Sequence, residues 1–127
     1  MIPEDLKYTK DHEWVRLEGG TATIGLSHHA QQEMGDLVFV ELPDVGATVE
    51  PGKPMGTVES VKAVSEVFAP LAGKIAEVNE ALVDQPELVN QEPYGAGWLV
   101  RITLADGAPP EGLMTADEYR SFVAEES

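Results

Sequence analysis

Short apolar runs separated by turn residues dominate the middle of the chain, and such runs predict strands. Residues 13–17 and 21–26 are two of them, with Gly19-Gly20 between, the signal of a hairpin. Ser27 is placed to cap a short helix that runs through Met34 and is ended by Gly35. Residues 36–42 carry Leu37, Val38, Phe39 and Val40 in succession, which predicts a buried strand. Pro43-Asp44-Val45-Gly46 and Pro51-Gly52-Lys53-Pro54 are predicted turns. Residues 55–60 and 63–69 follow as strands, 70–74 as a turn and 75–79 as another strand. Residues 79–90 predict one or two irregular helical turns, and 97–104 is the last clear strand. Residues 105–112, rich in Gly and Pro, form a predicted linker. Thr115 and Glu118 then make a capping box, and Tyr119, Phe122 and Val123 give a helical stripe as far as Ala124. So many short strands at close spacing predict a mainly β fold, a sandwich or barrel, with short helices and a C-terminal helix packed on its outside. The expected organisation is one domain over 1–127, with 105–127 as linker plus helix.

The segment 52–74 predicts a long hairpin with Val61-Lys62 at its tip. Pairing Ser60 with Ala63 sets Glu59 opposite Val64 and Thr57 opposite Glu66. Two-residue hairpin turns favour Asn-Gly or Gly-X because the turn uses positive φ, which suits β-branched Val61 poorly. Val61 is also apolar at a tip that faces water. A local rule broken at an exposed tip points towards function. On geometry alone, a longer loop or a type I turn that tolerates valine is the simpler account.

Charge narrows the classes of partner. Asp and Glu number 23 against 8 Lys and Arg, a formal net charge of −15. So acidic a body repels phosphate backbones and anionic lipid, which leaves no expectation of nucleic-acid or membrane partners and favours proteins with basic docking patches. With 43% hydrophobic residues the chain has material for one packed core, despite the charge. Cysteine is absent, so disulfides, thiolate metal sites and a cysteine nucleophile are excluded, and any thiol chemistry must come from a cofactor. No apolar run approaches the length of a membrane span, and the opening residues lack the layout of a secretory or transit signal. The expected location is cytoplasmic, and the expected state is a monomer.

Glu59-Ser60-Val61-Lys62-Ala63-Val64-Ser65-Glu66 resembles the lipoylation segment of glycine cleavage H proteins, with Lys62 in the place of the modified lysine. Tyr8-Thr9-Lys10-Asp11-His12-Glu13-Trp14-Val15 resembles that family's opening. Gly35-Asp36-Leu37-Val38-Phe39-Val40-Glu41-Leu42-Pro43 resembles its central strand. Pro86-Glu87-Leu88-Val89-Asn90 and Pro93-Tyr94-Gly95-Ala96-Gly97-Trp98 follow in the family's order. Several long motifs in order are far more specific than one short pattern. Ser27-His28-His29-Ala30 departs from the Asp-aromatic or Asp-His pair common in the family at that place.

The resemblance implies a barrel-sandwich hybrid fold and a non-enzymatic carrier with lipoate bound covalently to Lys62. It implies four partners. A glycine decarboxylase (P protein) using pyridoxal phosphate loads the aminomethyl group of glycine. An aminomethyltransferase (T protein) passes the methylene to tetrahydrofolate. A dihydrolipoamide dehydrogenase (L protein) reoxidises the dithiol, and a lipoyl or octanoyl ligase or transferase installs the cofactor. That enzyme must present Lys62 as a neutral amine nucleophile, whereas an ordinary lysine is protonated at neutral pH. The positions of Glu59, Glu66 and Gly46 are associated in the family with recognition by the modifying enzyme; otherwise the two glutamates are strand-edge charges that discourage aggregation. A loaded arm needs shielding from water, and Glu13 is the expected carboxylate for that task, with plain surface polarity as its alternative. Trp14 is expected in the core. A related reading is an H-like protein that relays lipoyl groups to other enzymes. Biotinyl domains, which usually read Met-Lys-Met, and oxo-acid lipoyl domains, which usually read Asp-Lys-Ala, match Val61-Lys62-Ala63 less well.

His28 and His29 invite a metal reading. Adjacent side chains on a helix do not face one another, however, and His12 is distant in sequence. Neither an HExxH pattern nor a thiolate is present, so no metal is expected. A Gly-x-Ser-x-Gly elbow is also absent, so nucleophilic catalysis has no support.

Overall fold

The computed structural model describes residues 3–105 and 113–126; of the predicted linker, all but Ala105 lies outside them. Among the described residues, nine strands form two sheets. The elements in chain order are β1 (Lys7–Tyr8), β2 (Glu13–Glu18), β3 (Thr21–Leu26), α1 (His28–Met34), β4 (Leu37–Glu41), β5 (Thr48–Val49) and β6 (Pro54–Ser60). They continue with β7 (Val64–Phe68), β8 (Gly73–Val78), α2 (Ala81–Asp84), α3 (Leu88–Gln91), β9 (Val100–Leu104) and α4 (Ala116–Glu126). One sheet has six strands in the order β1-β2-β3-β9-β8-β5; the other has three, β4-β6-β7. The predicted mainly β sandwich with short helices and a terminal helix is the observed one.

The local signals act through identifiable bonds. Ser27 Oγ accepts from Ala30 N at the start of α1, and Gly35, at φ 83°, ends it by donating its N–H to Gln31 O. Thr115 and Glu118 exchange the two bonds of a capping box: Thr115 N donates to Glu118 Oε1 (2.9 Å) and Glu118 N to Thr115 Oγ1 (3.2 Å). The ambiguous 79–90 stretch becomes two single-turn helices, α2 and α3. The strands β1 and β5 are two residues long, too short to leave a period in the sequence.

The main core fills the space between the sheets and includes Val15, Ile24, Val40, Val58, Ile75 and Ile102. A second cluster, Leu6, Tyr8, Trp14, Ala116 and Tyr119, seats α4 on the outside of the six-stranded sheet. Tyr8 and Tyr119 stack there with centroids 4.5 Å apart. Trp14 is buried, as expected, and its indole N–H donates to Pro93 O (2.7 Å).

One expectation fails. The apolar run of β4 is not buried throughout: Leu37 and Val40 are, but Val38 and Phe39 are half exposed. The register with β6 shifts between Leu37 and Phe39, and this irregularity breaks the simple alternation, leaving two successive side chains outside.

Sheet packing also explains a glycine. A Cβ at Gly73 of β8 would lie 2.1 Å from Thr103 O and 2.7 Å from Ile102 Cγ2. Backbone of the paired strand cannot yield to it without shifting the ladder. Gly73→Ala is therefore expected to destabilise the fold by about 2–3 kcal/mol, measured as a lower urea midpoint at unchanged slope.

Candidate functional site

The β6–β7 hairpin has the register that its sequence predicts, with Glu59 opposite Val64 and Thr57 opposite Glu66. Ser60 N donates to Ala63 O (2.8 Å) across the tip. The Ser60 hydroxyl accepts from Lys62 N (3.3 Å) and Ala63 N (3.1 Å), so a buried serine braces an exposed turn. Neither Val61 nor Lys62 adopts positive φ. The conformational anomaly inferred at Val61 is therefore absent, and the turn accommodates valine. Its exposure is real: Val61 is 80% accessible, and Lys62 is exposed beside it.

The Lys62 side chain runs over the end of α1. A Cβ at Gly35 would meet Lys62 Cε at 3.3 Å and Nζ at 3.8 Å. The positive φ of Gly35 favours glycine here, and the absence of a side chain lets the lysine stem pass close to the backbone. Asn90 of α3 steadies the junction, donating to Gly35 O (2.8 Å) and Gln31 Oε1 (3.1 Å) and accepting from Leu37 N (2.9 Å). Sequence reasoning recognised Gly35 only as a helix stop and passed over Asn90. An asparagine after two single-turn helices carries no signal of its distant partners.

A cavity of about 350 Å³ lies between α1 and the strands β6 and β7. Leu26, Ala30, Met34, Val58 and Val67 give it apolar walls, and its polar lining includes Asp11, His12, Glu13, Glu33, Ser65 and Glu66. Glu13 is 1% exposed. Its Oε2 accepts from Phe68 N (2.8 Å) and its Oε1 from Thr9 Oγ1 (3.3 Å), so it links β2 to the end of β7. The alternative of plain surface polarity is thus ruled out by burial. Desolvation pushes the Glu13 pKa up to about 8, with the nearby Asp11 charge adding to the rise; the hydrogen bonds from Phe68 and Thr9 oppose it and are outweighed. At neutral pH this carboxyl is largely protonated.

The other expected site residues are distributed differently. Glu59 and Glu66 stand exposed on one face of the three-stranded sheet, on the two strands that flank Lys62. Gly46 lies outside that sheet, in the turn before β5, at φ 94° and with its N–H bonded to Ile75 O (2.8 Å). The histidines divide. His28 Nδ1 lies 3.1 Å from Gln31 Nε2, whereas His29 packs against His12 with centroids 4.5 Å apart and lies 3.2 Å from Glu33 Oε1. His12 Nδ1 meets Tyr119 Oη at 2.7 Å, and Ser27 Oγ meets the same hydroxyl at 2.7 Å. His12 thus helps to seat α4, with the His29 ring packed against it. No group of three or more His, Asp or Glu side chains able to hold a metal occurs among the described residues. No described helix is long and apolar enough to cross a membrane.

Similarity to known proteins extends over nearly the whole chain. Residues 6–126 match the family model described as glycine cleavage H-protein. The glycine cleavage system H protein of Herpetosiphon aurantiacus is 55% identical over 126 residues, covering 99% of this chain and 96% of the relative. That of Bacillus cereus is 55% identical over 118 residues, 93% of each chain. The crystal structure of a glycine cleavage system H protein from Mycobacterium marinum superposes with a TM-score of 0.90 at 43% identity, covering 97% of this chain and 99% of that one. The chain belongs to the glycine cleavage H-protein family.

Proposed function

We propose that this chain is the lipoyl-bearing carrier of the glycine cleavage system, with lipoate joined by an amide to Lys62. In this role it receives the aminomethyl group of glycine from the P protein, delivers it to the T protein and then presents its dithiol to the L protein. The chain itself performs no catalysis. The observation that carries this reading is an exposed lysine at a serine-braced hairpin tip, beside a cavity whose lining includes a buried carboxyl.

The residues present fit the cofactor. When bound, lipoate supplies a disulfide that accepts a one-carbon unit together with two electrons and later releases both. Leu26, Ala30, Met34, Val58 and Val67 offer apolar walls to a hydrocarbon stem. Glu13 offers a carboxyl group to a cationic amine at its end. Gly35 leaves the lysine stem a path over the end of α1. Lys62 adds its own length to the arm, and tethering replaces encounters in bulk solution by local searches at high effective concentration.

Modification at Lys62 is an acyl transfer. The neutral Nζ attacks the carbonyl carbon of an acyl adenylate or acyl thioester held by the modifying enzyme. The C–N bond forms, the nucleotide phosphate or thiolate leaves, and the amine proton passes to a base of that enzyme. Peptide mapping after acylation tests the site: a lipoyl group on the Lys62 peptide supports the assignment, and one on Lys53 or Lys74 overturns it. Glu59 and Glu66 supply recognition charges on the flanking strands, and Gly46 contributes through a turn that its positive φ shapes. Glu59→Gln removes one charge at nearly constant volume and is expected to slow acylation of the folded protein about fivefold or more. A rate equal to the parent's would reduce Glu59 to a surface charge.

A further inference from the structure

The three-stranded sheet has an outer face that the core does not use. Residues directly opposite on antiparallel strands project to the same side. One row across this sheet is therefore Phe39–Glu59–Val64, and the next is Glu41–Thr57–Glu66. Phe39 is 49% exposed and Val64 66%, and the register shift in β4 keeps the phenylalanine outside. Glu41, Glu59 and Glu66 are exposed in the same two rows. Two apolar side chains thus lie among three carboxylates, next to the tip that bears Lys62. Exposed apolar side chains gathered within a polar rim mark interaction surfaces more often than isolated ones do.

We propose that Phe39 and Val64, framed by Glu41, Glu59 and Glu66, form the docking face for the enzyme that acylates Lys62. The matching surface of that enzyme is an apolar depression edged by lysine and arginine. This rests on Lys62 being the acylated residue. The choice of partner follows from reach. Before modification the reacting amine stands only a four-carbon stem away from the backbone, so the enzyme's active site must come to the tip and cover the strands beside it. Enzymes that act at the far end of a completed arm can reach it from further away. Charge supports the same choice, because three acids on the face and a net charge of −15 favour a basic rim and disfavour an acidic one.

The test uses the whole unmodified protein with lipoate, ATP and a purified lipoate ligase. Acylation is followed by intact mass over a range of carrier concentrations. Phe39→Ser and Val64→Ser are each expected to raise KM about tenfold or more while kcat stays within about twofold, since they remove apolar contact made on docking. Val64→Thr keeps the β-branched shape and so protects the fold, and it is expected to move KM in the same direction by a smaller factor. Leu17→Ser and Val83→Ser, which alter exposed apolar residues on β2 and α2, are expected to leave KM unchanged. Direct titration of ligase with the Lys62→Arg form gives Kd without turnover and should rank the variants in the same order. Variants with the KM and Kd of the parent would overturn the docking face while leaving Lys62 as the modified residue. A loss confined to kcat would also overturn it, as would self-association of the parent that the Phe39 and Val64 variants abolish. If the parent is acylated at another lysine, the site assignment falls and the docking face falls with it.

Discussion

Lys62→Arg is expected to abolish lipoylation. Arginine keeps the positive charge and much of the length, so folding and the exposed tip should be preserved, but a guanidinium cannot supply the neutral amine that acyl transfer needs. The parent protein, acylated in the presence of ligase or transferase, should gain the mass of one lipoyl group, and the variant should gain none. The loss should be complete. Neither Lys53 nor Lys74 offers a substitute, because Lys53 lies in the turn before β6 and Lys74 lies within β8 of the other sheet. Unmodified parent and variant should show the same thermal midpoint within about 1 °C, since Lys62 is exposed and contributes little to packing. Residual acylation of the variant at the parent's rate would remove Lys62 from the site.

Glu13→Gln should have two separable effects. The first concerns stability. The folded state raises the Glu13 pKa from 4.5 to about 8. Between these values the folded protein holds a proton that the unfolded chain has released. Stability from this group is therefore fully present below about pH 4.5 and is lost as pH rises through about 8. The loss amounts to a few kcal/mol, and glutamine, which keeps the acceptor for Phe68 N, removes that slope. Urea midpoints measured from pH 5 to pH 9 should converge for parent and variant at the acid end and diverge at the alkaline end, with the variant the more stable. The second effect concerns the loaded arm. A cationic amine brought to Glu13 favours the carboxylate, so Glu13 releases its proton and holds the amine by a charge-assisted bond. Such a bond contributes about 1.5–3 kcal/mol, so its loss should shorten the lifetime of isolated loaded protein roughly tenfold or more, seen as release of ammonia and formaldehyde. Lipoylation and reduction of the oxidised arm by the dehydrogenase should stay near the parent's rates. A loaded lifetime within twofold of the parent's would remove Glu13 from the site.

Features set by local chemistry could be read from the sequence. The caps at Ser27 and Thr115, the Gly35 stop and the register of the β6–β7 hairpin each depend on residues within a few positions of one another. Features set by packing could not. Four successive apolar residues in β4 show no alternation, so nothing local marks Val38 and Phe39 as the pair left outside. Glu13 looks like any polar residue at the start of a strand; it is buried because β2 passes beside the end of β7, 55 residues further along the chain. His12 and His29 are distant in sequence, yet the turn at Thr9–Glu13 and the first turn of α1 bring their rings together. Pairing rules place the hairpin tip at Val61-Lys62, but the tip is held by Ser60 and not by a left-handed turn.

The central claim is that this chain carries glycine's carbon, and exchange of labelled bicarbonate into the carboxyl group of glycine tests it most directly. Lipoylated protein, the pyridoxal-phosphate decarboxylase and glycine suffice for the assay, because loading is reversible and the other enzymes of the cycle are not required. Exchange is expected to rise in a saturable way with lipoylated parent and to be absent with unlipoylated parent or with Lys62→Arg. Fully lipoylated parent that supports no exchange, while donating its lipoyl group to an oxo-acid dehydrogenase subunit, would contradict the glycine cleavage role and make the chain a lipoyl relay.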